Sequence, residues 1–188
     1  RNVAIGDVAL YNLNPATNTD MHNVAVGHGS GFAMTTGLQN TLTGSNSGGA
    51  LTTGVNNVVV GYNALASDTA GDNSVAVGHG TLNAQNFSTN TDSHNVAVGY
   101  QAGLSVTTGV QNTLMGSRAG DALTDADYNV AIGNEALSTD TLGSRNTAVG
   151  YTALANQNFT TATDSQNTAV GFYAGNAITT GIQNTLIG

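Results

Sequence analysis

The sequence predicts an all-β fold, a parallel β-solenoid of the β-roll type, and three observations support this. A five-residue unit of the form NVAVG recurs along the whole chain. The spacing of the unit repeats in a fixed order, and the apolar residues between units change in step with that order. Self-similarity of this kind is typical of folds in which each repeat packs only against its neighbours.

The recurring unit ends in glycine, and these glycines divide the chain into coils. Successive glycines are 21, 17, 17 and 17 residues apart, after which the order begins again. The larger repeat therefore has 72 residues, with copies at 2–73 and 74–145 and a partial copy at 146–188. We expect residues 1–188 to form one continuous segment of a longer fibre. The unit glycines are Gly6, Gly27, Gly44, Gly61, Gly78, Gly99, Gly116, Gly133, Gly150, Gly171 and Gly188.

Each unit reads as a short strand that is apolar on both faces. In Val24, Ala25 and Val26, β-branched residues flank a small central one, as extended strands favour. A strand apolar on both sides is expected to be buried on both sides. We therefore expect the central residue to line the coil and the flanking residues to pack against another copy of the chain. A coil of 17 residues has room for two strands of about five residues joined by tight turns.

The core is predicted to be filled by different residues in alternating coils. Four positions after the unit glycine stands leucine in two coils of each larger repeat and glycine in the other two. In the glycine coils an apolar residue follows three positions later, which would fill the space of the missing leucine. These residues are Met34, Leu51, Val106, Leu123 and Ile178.

Glycine and asparagine are assigned to turns and ladders. The unit glycines, and the glycines of the TTG segments at 37, 54, 109 and 181, are expected to supply positive φ angles. Asparagine begins every unit except that of Ser74, and stacked asparagines can hydrogen-bond from rung to rung. The predicted turn and ladder residues are represented by Asn23, Gly27, Asn95, Gly99, Asn167 and Gly171.

Composition argues against several functions. A net charge of −8 disfavours nucleic acid and anionic lipid surfaces, and no apolar run is long enough for membrane insertion. The chain has no cysteine for disulfides or thiolate metal sites. No nucleophile motif or convergent set of titratable residues stands out. We therefore predict a non-enzymatic protein without catalytic residues, metal or cofactor.

Each long coil has four extra residues, which are predicted to lie in surface loops at 15–22, 87–94 and 159–166. These loops should be about 19 Å apart along the rod. Such loops often form the binding face of repeat proteins, although they can also be tolerated spacers. A phenylalanine there could stack on a sugar or pack back over the rod. The pairs Asp20 with His22 and Asp92 with His94 suggest a metal site. The third copy has Gln166 in place of the histidine, which favours a solvated loop. The candidate partner-binding residues are Pro15, Asp20, His22, Phe87, Asp92, His94, Phe159 and Asp164.

Two stretches resemble the repeats of phage tail fibres: NVAVGYQAGLSVTTGVQNTLMG at 95–116 and NTAVGYTAL at 146–154. These repeats are related to the β-roll head repeats of trimeric autotransporter adhesins, which SVAVG at 74–78 and NVAIG at 129–133 resemble. The resemblance implies a left-handed roll, a homotrimer and an extracellular place on a virion or bacterial surface. It also implies attachment to a cell-surface glycan or protein receptor.

The coils are longer than those of adhesin heads, which favours the phage tail fibre over the adhesin. An ice-binding solenoid is a remote alternative, because pairs of threonines form a partial rank along the rod. A polysaccharide-cleaving spike is a further alternative, since such enzymes place paired acids in a groove between coils or chains.

Overall fold

The computed structural model describes residues 1–15 and 20–188, and the described part of the chain is all-β. Eleven strands of three residues each, one per coil, form a single parallel sheet in chain order. Their bounds are Val3–Ile5 (β1), Val24–Val26 (β2), Thr41–Thr43 (β3), Val58–Val60 (β4), Val75–Val77 (β6), Val96–Val98 (β8), Thr113–Met115 (β9), Val130–Ile132 (β10), Thr147–Val149 (β12), Thr168–Val170 (β14) and Thr185–Ile187 (β15).

Two smaller parallel sheets lie beside the long coils. The first joins Gly71–Asp72 (β5) to Thr91–Asp92 (β7). The second joins Gly143–Ser144 (β11) to Thr163–Asp164 (β13). Each pair links a long-coil loop to the coil before it.

The coils stack in register, so that equivalent residues lie directly above one another. Ala25, for example, pairs with Ala4 on one side and with Leu42 on the other. With about 4.8 Å between rungs, eleven coils give a rod of roughly 50 Å. The predicted parallel β-solenoid is confirmed.

The central residue of each strand faces the interior, as predicted. Ala25, Leu42 and Val59 are fully buried. The flanking residues face outward and are partly exposed: Val58 and Val60 retain 41% and 37% of their accessible surface. The inner face is thus occupied by the coil itself, and the outer face is uncovered.

The expectation of two strands of about five residues in each coil is wrong: the strands of the long sheet have three residues, and the described residues contain no second strand of that length. After the strand the chain runs through turns, because residues two and four positions beyond the unit glycine take left-handed backbone angles, as at Arg118 (φ 55°) and Leu137 (φ 54°). Single backbone bonds to the next coil replace a second long ladder, as from Leu65 N to Thr81 O at 2.9 Å. The left-handed angles interrupt extended pairing, while the single hydrogen bonds keep the rungs joined.

The alternating core is confirmed. A side chain at Gly31 would come within 2.9 Å of both Leu10 and Leu42, so leucines of neighbouring coils occupy its place. Met34, three positions later, is fully buried, as are its counterparts Leu51, Val106 and Leu123. Glycine is therefore required where adjacent rungs already fill the interior.

Glycine serves two different purposes in the turns. Gly99 and the other unit glycines have large positive φ angles, 139° at Gly99, as predicted. The TTG glycines do not have positive φ, so that part of the prediction is wrong. A Cβ at Gly54 would lie 2.5 Å from the carbonyl oxygen of Gly71 on the next coil, so close stacking requires glycine there.

Candidate functional site

The second and third long-coil loops lie on the surface, as predicted. Residues 88–90 and 160–162 are exposed in the second and third loops. In the first loop Pro15 is partly buried, and residues 16–19 lie outside the described residues. The second and third loops are therefore accessible, but the side chains of Phe87 and Phe159 are not.

Phe87 and Phe159 pack back onto the rod. Each keeps only 7% of its accessible surface. Their rings lie against Gly71 and Gly143 of the preceding coil, where a Cβ would approach the ring to 3.0 and 2.9 Å. The interpretation in which the ring packs over the rod is confirmed, and these rings do not present a free surface to a partner.

A buried aspartate holds each phenylalanine in place. Asp68 is fully buried, and its Oδ1 accepts hydrogen bonds from Gly71 N at 3.1 Å and Phe87 N at 3.0 Å. Its Oδ2 accepts a hydrogen bond from Gln85 Nε2 at 2.6 Å. Both carboxylate oxygens are thus satisfied, which offsets the cost of burying the charge.

The same arrangement recurs 72 residues later. Asp140 accepts hydrogen bonds from Gly143 N at 3.1 Å, Phe159 N at 2.9 Å and Gln157 Nε2 at 2.6 Å. Asp68 and Asp140 are not among the candidate residues predicted from the sequence. The recurrence of Asp, Gln and Phe with the same spacing in both copies was the available signal.

The predicted asparagine ladder is present. Asn112 is typical: its backbone N–H donates to Asn95 Oδ1 at 2.9 Å, and its own Nδ2 donates to Ala126 O at 2.8 Å. At Ser74, which lacks the amide, Gln85 takes over. It donates to Ser74 Oγ at 3.0 Å and accepts from Asn95 Nδ2 at 2.9 Å, so the ladder and the loop network join.

The loop aspartates pair with the coil before them. In all three copies the residue preceding the unit contacts the aspartate of the next long coil: Arg1 with Asp20 at 3.7 Å, Asn73 with Asp92 at 2.6 Å, and Arg145 with Asp164 at 3.0 Å. This contact gives the repeated aspartate a structural reason. The two ion pairs are exposed and contribute little to stability.

The loop histidines are exposed turn residues. His22 and His94 have left-handed backbone angles, φ 55° and 49°, as does Gln166 at the same place in the third copy. A polar residue suited to such a turn explains the replacement of histidine by glutamine. Within residues 1–15 and 20–188, no group of three or more His, Cys, Asp or Glu residues could hold a metal ion.

One acid in this region is destabilised in its charged form. Asp72 is 7% exposed and lies in register beside Asp92 on the next coil. Burial raises the pKa of Asp72, and the neighbouring carboxylates of Asp92 and Asp68 raise it further, against a hydrogen bond from Val55 N that lowers it. Its equivalent in the next copy is Ser144, an uncharged acceptor.

Exposed aromatic rings form stacks that were not predicted from the sequence. The centroid of the His79 ring lies 5.3 Å from that of Tyr62 and 5.4 Å from that of Tyr100. Tyr151 and Phe172 stack at 5.2 Å. All five follow a unit glycine directly, and this repeated position was the signal available in the sequence.

The threonine rank is largely used for bonding between coils. Thr52 Oγ1 donates to Thr69 O at 2.8 Å, and Thr69 Oγ1 donates to Phe87 O at 2.6 Å. Thr107 and Thr124 do the same in the next copy, with Thr124 Oγ1 donating to Thr141 O at 3.0 Å. The first hydroxyl of these pairs is therefore directed at a carbonyl of the next coil.

The outer face of the long sheet carries no charge on any of its eleven strands. Two side chains per strand project there, sixteen apolar and six threonine, whereas charged residues occur only elsewhere on the coils. The apolar ones are Val3, Ile5, Val24, Val26, Val58, Val60, Val75, Val77, Val96, Val98, Met115, Val130, Ile132, Val149, Val170 and Ile187.

Comparisons with protein-family models, with curated proteins and with solved structures find no match to this chain. None of the described residues belongs to a helix of the length and apolarity needed to cross a membrane.

Proposed function

We propose that this chain is a structural segment of a phage tail fibre, exposed on the virion surface, that assembles as a homotrimer and takes part in host attachment. The uncharged outer face of the sheet supports the assembly, and the resemblance of residues 95–116 and 146–154 to phage tail-fibre repeats supports the fibre role. An uncharged strip that is apolar at sixteen of its 22 outward positions, interrupted at β3 by Thr41 and Thr43, is larger than the apolar patches that monomeric proteins usually expose. Three copies that pack these strips together would bury them and leave the loops facing outward.

A role as a scaffold agrees with the chemistry of the buried acids. Asp68 and Asp140 use both carboxylate oxygens to bind backbone N–H groups and a glutamine side chain, away from solvent. They stabilise loops and offer no group to a substrate. The proposal accordingly assigns the segment no catalytic role and no cofactor.

The assembly is tested by light scattering after size-exclusion chromatography. The expected mass is three times the chain mass of 18.8 kDa. Val98→Asp should reduce it to the mass of one chain, because a charge would have to be buried at the interface. Gln111→Asp is the control: it places the same charge on an exposed turn of the same coil and should leave the trimer intact. A folded, monomeric parent chain would refute the proposal.

Attachment is tested with fluorescently labelled chain on intact bacterial cells. A trimer multiplies weak contacts, so the Val98→Asp monomer should bind less tightly by a factor of about 10² to 10⁴ on a cell that the parent recognises. If the parent and the variant bind the cells equally well, attachment does not depend on assembly, which would contradict the proposed role.

A further inference from the structure

The position after the unit glycine forms a line along the rod. Backbone bonds show its continuity: Arg118 N donates to Tyr100 O, Glu135 N to Ser117 O, and Thr152 N to Asn134 O, each at 2.9 Å. Successive residues of the line therefore lie one rung apart. In order from the first coil they are Asp7, His28, Ser45, Tyr62, His79, Tyr100, Ser117, Asn134, Tyr151 and Phe172.

Two aromatic stacks on this line are separated by two small polar residues. Tyr100 ends the first stack and Tyr151 begins the second, with Ser117 and Asn134 between them. Three rungs from Tyr100 to Tyr151 correspond to about 14 Å. Neither tyrosine has another ring on the side of the gap, so the two rings bound a notch about as long as two or three sugar units.

The rings at this notch are exposed, as are most aromatic rings of this chain. Of its ten aromatic residues only Phe87 and Phe159 are buried, whereas Tyr100 and Tyr151 are 49% and 42% exposed. Rings that are not needed for the core, and that lie on a rigid scaffold, are typical of recognition sites.

Polar side chains adjoin the notch. Asn134 is exposed, and Arg118 and Glu135, the residues next to the two small ones, lie with Nη1 and Oε1 4.0 Å apart. Their side chains are 53% and 41% exposed, so both retain free donors and acceptors. The charges offset one another, which leaves a site with paired polar groups and little net charge.

We infer that the notch between Tyr100 and Tyr151 binds a neutral oligosaccharide of two or three hexose units that lies along the rod. This inference deepens the proposed function, on which it rests, by naming the receptor class. Hexose rings present C–H faces to aromatic rings and adjacent hydroxyls to amide, guanidinium and carboxylate groups. An acidic glycan is disfavoured, because the chain carries a net charge of −8.

Tyr100 and Tyr151 lie outside the sheet strands through which the proposed trimer packs. The sheet strands end at the residue before the unit glycine, as Val96–Val98 does before Gly99. Gly99 then turns the chain with φ 139°, so Tyr100 begins a new direction at the margin of the outer face. A trimer packed through the strands can therefore leave the notch open.

The test is titration calorimetry of the full chain with linear neutral trisaccharides of glucose, galactose and mannose. At least one should bind, and an acidic trisaccharide containing sialic acid should bind at least tenfold more weakly. Tyr100→Ala and Tyr151→Ala should each reduce affinity tenfold or more at unchanged melting temperature. Tyr11→Ala, which removes a more accessible ring at the first coil, should have no effect.

Three outcomes would overturn the inference. The first is no binding of any neutral trisaccharide at 10 mM, and the second is an equal loss of affinity in Tyr11→Ala. The third is dissociation of the trimer by Tyr100→Ala, which would place that ring in the interface. Light scattering on the same samples separates the two proposals: a trimer without sugar binding refutes only the notch, and a sugar-binding monomer refutes only the trimer.

Discussion

Replacing one ladder asparagine in the middle of the rod should destabilise the protein far more than replacing one at its last coil. Asn129 is fully buried, and its Oδ1 accepts from Asn146 N at 2.9 Å and Asn146 Nδ2 at 3.1 Å. Its Nδ2 donates to Gly143 O at 3.0 Å and to Asn112 Oδ1 at 3.2 Å. Alanine removes all four bonds at once.

The cost follows from what the substitution leaves behind. Asn146 N and Gly143 O belong to buried residues and would lose their partners. Each buried unsatisfied group costs about 1–3 kcal/mol, so Asn129→Ala should lower the free energy of unfolding by about 3–5 kcal/mol. Asn184→Ala should cost below about 1 kcal/mol, because Asn184 is partly exposed and no described coil follows it.

The assay is equilibrium unfolding in guanidinium chloride, followed by circular dichroism, with hydrogen exchange of individual amides as a second measurement. The amide of Asn146 should lose protection in Asn129→Ala. The amide of Asn57, four coils before Asn129, should retain its protection, because repeat proteins transmit stability mainly between neighbours. Equal losses in Asn129→Ala and Asn184→Ala would contradict the argument that burial and the bonds to the next coil set the cost.

Two further predictions concern the long coils. Phe159→Ala should lower the free energy of unfolding by about 3 kcal/mol, because it empties a closed site against Gly143. Thr160→Ala, at the exposed neighbouring residue, should change that free energy by less than about 0.5 kcal/mol. Similar urea midpoints for the two variants would contradict the burial of the ring. Asp72→Asn should stabilise the protein at pH 7, since burial raises the pKa of that carboxyl above 3.8 and so penalises its charged folded form. The stability advantage of Asp72→Asn over the parent should shrink as pH falls through the raised pKa and disappear below 3.8, where the parent carboxyl is protonated. Unfolding curves of both proteins from pH 7 to pH 3 measure this advantage. An advantage that stays constant over this range would refute the raised pKa of Asp72.

The sequence by itself determined the repeat architecture. Coil length, rung register and the inward position of residues such as Ala25 all follow from the spacing of the units, because stacked rungs place equivalent residues one above another. The asparagine ladder and the exchange of leucine for glycine at positions such as Gly31 could also be predicted, since both involve adjacent copies of the same position.

Only the tertiary structure decided how the chain behaves between its strands. The left-handed turns that prevent a second strand depend on the packing of each coil against the next, and a periodic pattern does not reveal backbone angles. Phe87 looked like a partner-binding residue, because the sequence shows a ring in a polar loop. Its burial depends on Gly71 and Asp68, which lie 16 and 19 residues earlier and approach it only when the coils stack.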